Sequence, residues 1–546
     1  DGARFIETVP RRGYRFSADV RTEFPKPAFA AESEAPVEPA TAWRVRLPWL
    51  AAAAIAGVIA MVSLGAWWRS SGDAAVRIDS LVVLPFENLS GDRQHDALAD
   101  SLTDAVITSL GQISGLRVIS RTSALTYVGT SKTVPQIARE LNVAAVVEGT
   151  IQQSAARVQV NLKLIDASSD RTLWAESYQR DVQNTLELNN QIARAIANRA
   201  AVTLTPREAA RLAQTTPVNP KVYEAYLKGR YFWNRREEPA MQQAIFHFEE
   251  ALALDAGYAP AYSGLADSYA LYGSYGWTLP GGDPWKRALA AAERALQLDE
   301  LLADGHTSRA RIALNYELDW VGAGNGYRRA LELNPGYANA HHWYGYYLML
   351  SGRVKEGEAE MRRALELDPL SPIINANIGF ASYVGRRYDE ALAHWRNALA
   401  MHRDYALLHS YMVGAFVAKG MYDNALGELE KSAAVSGEGS EEMAMRAHIY
   451  GRMGRTMEAR ALLSKVVSRN DTPGYFIAMG YAGLGDRDAA FTWLDKTVQE
   501  RWGPFNELNA DPLFDALRDD ARFPSLLSQI GLPGYGRAPH PLGPVR

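Results

Sequence analysis

Hydrophobic positions change period twice along this chain. Near the N-terminus, "FIETVPRRGYRF" (residues 5–16) reads as two short strands, Phe5 to Val9 and Tyr14 to Phe16, joined by a turn over Pro10 to Gly13. Between 78 and about 205 strand and helix signals alternate. "DSLVVLPF" is an apolar run closed by the turn "ENLSGD", and Leu98, Leu102, Val106 and Leu110 then share one helical face. "LRVIS", "AAVVEGTIQ", "RVQVNLKLID" and "RTLWAESY" are further strands, with "VPQIARELN" and Leu186 to Val202 as helices. In the fourth strand Val158, Val160, Leu162 and Leu164 alternate with polar residues, as a half-buried strand requires. Residues 78–205 are therefore expected to fold as one α+β or α/β domain.

From about 217 the period is helical, and the pattern repeats. "ALALDA" at 251, "ALQLDE" at 295, "ALELNP" at 330, "ALELDP" at 364 and "ALAMHR" at 398 begin 44, 35, 34 and 34 residues apart. Ser432 and Val466 continue the phase. Seven residues before each stands a small residue: Ala244, Ala288, Ala323, Gly357, Ala391, Ala425 and Ala459. A 34-residue period with small residues where paired helices touch is the tetratricopeptide signature. The array is expected over 217–530, most regular at 304–337, 338–371, 372–405 and 406–439. "DPLFDALRDDARFPSLLSQIGL" is expected to cap its open end, and 533–546 reads as a Gly/Pro-rich tail.

Two stretches belong to neither pattern. Residues 19–46 lose periodicity and carry Pro25, Pro27, Pro36 and Pro39 among Glu32, Glu34 and Glu38, which suits an extended linker. Leu47 to Trp68 contains no charged side chain, and its 22 residues span roughly 33 Å as a helix. With Trp43, Trp49, Trp67 and Trp68 at its ends, it is expected to be a transmembrane helix. Arg44 and Arg46 on one side and Arg69 and Arg77 on the other do not orient it.

Composition narrows the chemistry. The 546 residues are 47% hydrophobic and 22% charged with net charge −4, so any nucleic-acid site must be local. The absence of cysteine excludes disulfides, thiolate metal sites and thiol switches. The pair His341–His342 has no metal-ligand spacing around it, "GAGNGY" at 322 falls within the repeat phase, and "NLSGD" reads as a plain turn. No catalytic constellation, cofactor motif or metal set emerges, so a non-enzymatic role is expected. The consecutive aromatics of "YEAYLKGRYFW" and "HHWYGYY" cannot all face the core of a helix pair. Together with the insertion "GSYGWTLPGGDP", they make Tyr226, Trp277, Trp343 and Tyr346 candidates for binding a protein or peptide in the tetratricopeptide groove.

The opening stretch resembles the C-terminal wing of OmpR/PhoB-type winged helices, in particular the membrane-anchored ToxR/CadC branch; residues 1–18 cover only the end of such a domain. The resemblance implies DNA contact through the turn. Arg11 and Arg12 would neutralise phosphates or enter a narrow groove, Gly13 would permit the tight turn, and Thr8 and Arg15 would add contacts. Residues 78–200 resemble the TolB N-terminal-like domain through "LPFENLSGD", "ADSLTDAVITSL", "IARELNVAAVVEGTI" and "LIDASSDRTLWAESY". The combined expectation is a single-pass inner-membrane transcriptional regulator, cytoplasmic at its N-terminus, whose periplasmic domains receive a signal, with a homodimer as one means of relaying it. A membrane-tethered interaction scaffold, and the sensory half of a cyclase or kinase, remain alternatives.

Overall fold

The computed structural model describes residues 6–9, 13–16, 78–91, 96–154, 157–181, 185–212, 219–275, 277, 279–403, 405–500 and 504–535. Residues 1–74 and 75–546 form two compact units. In the first, β1 (Ile6–Val9) and β2 (Gly13–Phe16) pair antiparallel, Ile6 opposite Phe16 and Val9 opposite Gly13.

The sequence expectation of a transmembrane helix needs correction. Among the described residues no helix is long and apolar enough to cross a membrane, and residues 47–68 lie outside them. The single-pass inner-membrane placement, and with it the periplasmic location of the following domains, is accordingly unsupported. The described fold is a helical solenoid joined to a small mixed sheet.

That sheet contains β3 (Ser80–Val83), β4 (Glu87–Asn88), β5 (Arg117–Val118), β6 (Ala145–Ser154), β7 (Arg157–Asp166) and β8 (Arg171–Asp181), in the order β5-β3-β6-β7-β8, with β4 also on β6. β3 is parallel to both β5 and β6, whereas β6, β7 and β8 form an antiparallel meander. The central parallel strand is buried along its whole length, which is why it reads as an unbroken apolar run. β7 sits beyond it, with Val158, Val160, Leu162 and Leu164 in the core and Lys163 outside. Helices Asp96–Gly111 and Thr185–Arg199 supply Leu102, Val106, Ile192 and Ile196 to one core. Ile137 and Leu141, from helix Val134–Leu141, join Tyr127 in a smaller cluster with Val82 and Val146. Gly149 is required at β6, because a Cβ there would lie 2.3 Å from the Phe86 ring. The "EN" that reads as the start of a turn is in fact β4, a two-residue pairing with Thr150 and Ile151 too short to leave a periodic signal.

The remainder consists of helical hairpins, eight among the described residues, from Pro220–Trp233 with Glu238–Leu254 to Gly474–Leu484 with Arg487–Glu500. The phase-marking Ala251, Ala295, Ala330, Ala364 and Ala398 are all buried, as are Ala244, Ala288, Ala323, Ala391, Ala425 and Ala459. The fourth hairpin, Ala338–Leu350 with Val354–Leu367, shows the reason most plainly. A Cβ on Gly345 would lie 2.8 Å from the Gly357 carbonyl oxygen, and one on Gly357 would lie 2.6 Å from that of Gly345. Only paired glycines let these backbones approach so closely. The "GAGNGY" stretch is continuous within helix Trp320–Leu333, its Gly324 leaving room for the Tyr347 hydroxyl.

The α/β domain docks directly on the array. The Ser120 N–H donates to the Leu367 carbonyl at 2.7 Å, and the Gly336 N–H donates to the Gly111 carbonyl at 3.0 Å. Ser123 Oγ donates to Asp368 at 2.6 Å and accepts from the Leu370 N–H at 3.0 Å. Burial pushes the Asp368 carboxyl up to about 6, against the opposing hydrogen bonds from Ser123 and Ser120. Tyr223 in the first hairpin donates to Asp104.

Candidate functional site

Residues after the eighth hairpin do more than cap its end. Two 3-10 turns, Phe505–Glu507 and Pro512–Leu517, lead into helix Arg522–Gln529. They turn back against the first helices of earlier hairpins. Phe505, Leu508, Phe514 and Leu517 are buried in the same core as Trp320, Tyr347 and Tyr383. Trp320 Nε1 donates to the Ile530 carbonyl at 2.8 Å, and Asn506 Nδ2 to Asn315 Oδ1 at 2.7 Å. Asp511 accepts from Tyr383 at 3.0 Å, from Tyr475 at 2.7 Å and from the Leu513 N–H at 2.9 Å. Tyr346 donates to Glu507.

Between this returning segment and the inner face of the array lies a cavity of about 400 Å³. That volume suits a small molecule, at the lower end of ligand-pocket sizes. Its walls are largely aromatic. Trp277 comes from the insertion, Trp343 and Tyr346 from the fourth hairpin, and Phe380, Tyr411 and Phe476 from later first helices. Tyr346 stacks on Phe380 with ring centres 5.8 Å apart, and Phe380 lies 5.4 Å from Tyr411.

Trp277, Trp343 and Tyr346 thus share one cavity although 69 positions separate the first from the last in sequence (346 − 277). Tyr226 lies apart, buried against Phe248 and Tyr258 in the core of the first hairpin. Thr8 is in β1, and Gly13 and Arg15 are in β2, whereas Arg11 and Arg12 lie outside the described residues.

The polar groups on the walls carry no single-sequence signal. Arg311 precedes a π-helical turn, Ala313–Glu317, which closes on Leu318 in the left-handed region and places Asn315 on the cavity wall. Its Nη2 donates to Ser274 Oγ at 3.1 Å, and its guanidinium lies 4.1 Å from the centre of the Trp343 ring. Arg236, behind that ring, is 5.7 Å from its centre and 3.7 Å from that of Trp233. Burial pushes Arg236 down to about 10. His342 is fully buried; Asn377 Nδ2 lies 2.7 Å from its Nε2, and burial holds the ring down at about 3, so it is neutral.

The carboxyl groups on the opposite wall are shifted the other way. Burial pushes Glu507 up to about 7, with Asp511 adding to the rise and Tyr346 opposing it. Asp511 is also raised by burial, against its three hydrogen bonds. Glu441, at the start of helix Ser440–Arg452, also borders the cavity and is open to solvent. Among the described residues no group of three metal-ligating side chains converges. The arrangement is equipped to bind, through rings, one guanidinium and several hydrogen-bonding groups.

Comparison with known proteins gives this architecture a context. Residues 77–196, the segment that resembles the TolB N-terminal-like domain, match the family model of the HilA/YgeH-like transcriptional regulator, second domain. The chain is 31% identical over 237 residues to "Putative adenylate cyclase 3" of Rhizobium meliloti (strain 1021); the match covers 43% of this chain and 40% of that relative's length. Among solved structures, a tetratricopeptide repeat protein from Parabacteroides merdae aligns with 50% of this chain and 100% of its own at 16% identity and a TM-score of 0.34. The type IV pilus biogenesis factor PilW aligns with 38% of this chain and 92% of its own at 20% identity and a TM-score of 0.33. The α/β segment is thus similar to a domain of HilA/YgeH-like transcriptional regulators.

Proposed function

We propose that this chain is the signal-receiving part of a transcriptional regulator, with the cavity of the helical array as its receiving site. The observation that carries the reading is the convergence of Trp277, Trp343, Tyr346 and Arg311 on one cavity. That cavity belongs to an array on which a regulator-type domain is docked, through Ser120, Ser123 and Gly336. Occupancy would favour one arrangement of the returning C-terminal segment against the array, and the α/β domain would register it through the connections between hairpins at 334–337 and 368–371 and the end of helix Val354–Leu367. On this reading the β1–β2 hairpin is part of a DNA-contacting wing to which Thr8, Gly13 and Arg15 belong, with Arg11 and Arg12 between its strands in sequence. The role is one of binding, without catalysis by these residues.

The test is recovery of genomic fragments by the full-length gene product. Specific fragments should be enriched, and Arg11→Gln with Arg12→Gln should weaken binding about tenfold and reduce its salt dependence. Failure to enrich any fragment would contradict the DNA-binding reading. A second reading is favoured by the cyclase relative: the same receiving half attached to a cyclase output. Production of cyclic AMP by the full-length product, in place of DNA binding, would establish it.

A further inference from the structure

Arg311 on the cavity wall and Arg236 beside Trp343 are both buried, and among the described residues neither forms an ion pair within 4 Å, whereas the partly exposed Arg230 does. Arg230 lies 3.7 Å from Asp267, which also accepts from Ser308 at 2.7 Å. Arg236 and Arg311 are 9% and 3% exposed, yet Arg236 Nε and Nη1 and Arg311 Nη1 have no hydrogen-bond partner. His342 Nδ1, next to Trp343, is likewise buried and unpartnered. Arg236 also adopts a left-handed backbone, with φ of 56°, a conformation that is unfavourable for a side chain of this size. Burying a charge without a counter-ion is costly, so such groups in a folded protein call for a missing partner. Asp267 attracts both arginines without a direct ion pair to either, and Glu507 and Asp511 on the far wall are hydrogen-bonded by Tyr346, Tyr383 and Tyr475.

We propose that the cavity binds a small carboxylate with a flat, apolar body, its carboxylate held by Arg311 with Arg236 behind it and its body among Trp343, Tyr346 and Phe380. The guanidinium fork matches a carboxylate in geometry. The aromatic walls and the volume of about 400 Å³ set the size and flatness of the body. Glu507, Asp511 and Glu441 on the same cavity disfavour a polyanion such as a nucleoside triphosphate. This assignment rests on the reading of the cavity as a receiving site and names the chemistry of what it receives.

The test is calorimetric titration of the full chain with benzoate, phenylacetate and indole-3-acetate, each against its primary amide, and with tryptamine as a cationic control. At least one acid should bind about tenfold or more tighter than its amide, the loss expected when a charged hydrogen-bonded pair is removed. Arg311→Gln should abolish that preference, and Arg311→Lys, which keeps the charge without the fork, should retain part of it. Thermal melting of both variants checks that they remain folded. Equal binding of acid and amide, tighter binding of tryptamine, or a preference that survives in folded Arg311→Gln would overturn the carboxylate assignment while leaving the cavity a ligand site. Binding by none of the probes overturns the assignment too. The receiving-site reading then stands or falls separately, on whether Trp343→Ala alters the output of the full-length protein.

Discussion

The two walls of the cavity treat buried charge in opposite ways. On the returning C-terminal segment, Asp511 accepts three hydrogen bonds and Glu507 is met by the Tyr346 hydroxyl. On the wall formed by the early hairpins, Arg311 stacks on Trp343, with Arg236 on Trp233 behind it, and both leave guanidinium N–H groups without acceptors. A satisfied buried charge ties two parts of a fold together, whereas an unsatisfied one is a cost retained for another purpose. We therefore assign the carboxylate wall to structure and the arginine wall to recognition.

The most disruptive way to test that contrast is Asp511→Ala. It strands two buried tyrosine hydroxyls and a backbone N–H, and should destabilise the C-terminal part of the array by about 3 kcal/mol in urea denaturation. Unchanged stability would show that the segment is not held through this carboxylate. Trp320→Phe removes one buried hydrogen bond to Ile530 and should cost about 1 kcal/mol, with faster amide exchange over 505–530.

On the opposite wall the sign reverses. Arg236→Met keeps an apolar stem against Trp233 and removes an unpaired buried charge, so its melting temperature should equal or exceed that of the wild type. A loss comparable to that of Asp511→Ala would mean that Arg236 is structural after all. The last effect concerns pH. The Glu507 carboxyl sits at about 7 in the folded chain against an ordinary 4.5, so folding takes up a proton between those values. Its stabilisation is complete below about pH 4.5 and lost as pH rises through about 7. Glu507→Gln should therefore gain in stability relative to the wild type across that window, and show no relative gain below it.

The difference between the walls also marks what the chain's pattern discloses. Repeat phase is a local property, so the helix pairs and their small contact residues are legible from Ala244 to Ala459. The alternation of Val158 to Leu164 likewise follows from one strand having one buried face. Trp277, Trp343 and Tyr346 stand out because clustered aromatics exceed what helix packing can absorb, although the same reasoning also picks Tyr226, which the first hairpin buries. The pairing of Tyr346 with Glu507 spans 161 residues, and no periodicity records it. Arg311 and Arg236 look like ordinary surface cations in sequence; burial and the lack of a partner become visible only when the hairpins stack. The return of residues 505–517 to the inner face depends on the same distant contacts. The apolar run at 47–68 lies outside the described residues, and the membrane placement expected from it, its flanking tryptophans and the winged-helix resemblance is supported by no described helix.

The most direct test of the account compares transcripts in three strains: wild type, a deletion of the gene, and a chromosomal Arg311→Gln variant with protein levels matched. The account predicts that deletion alters a defined set of transcripts and that Arg311→Gln alters the same set. A deletion that changes no transcripts, or an Arg311→Gln strain indistinguishable from wild type, would contradict it.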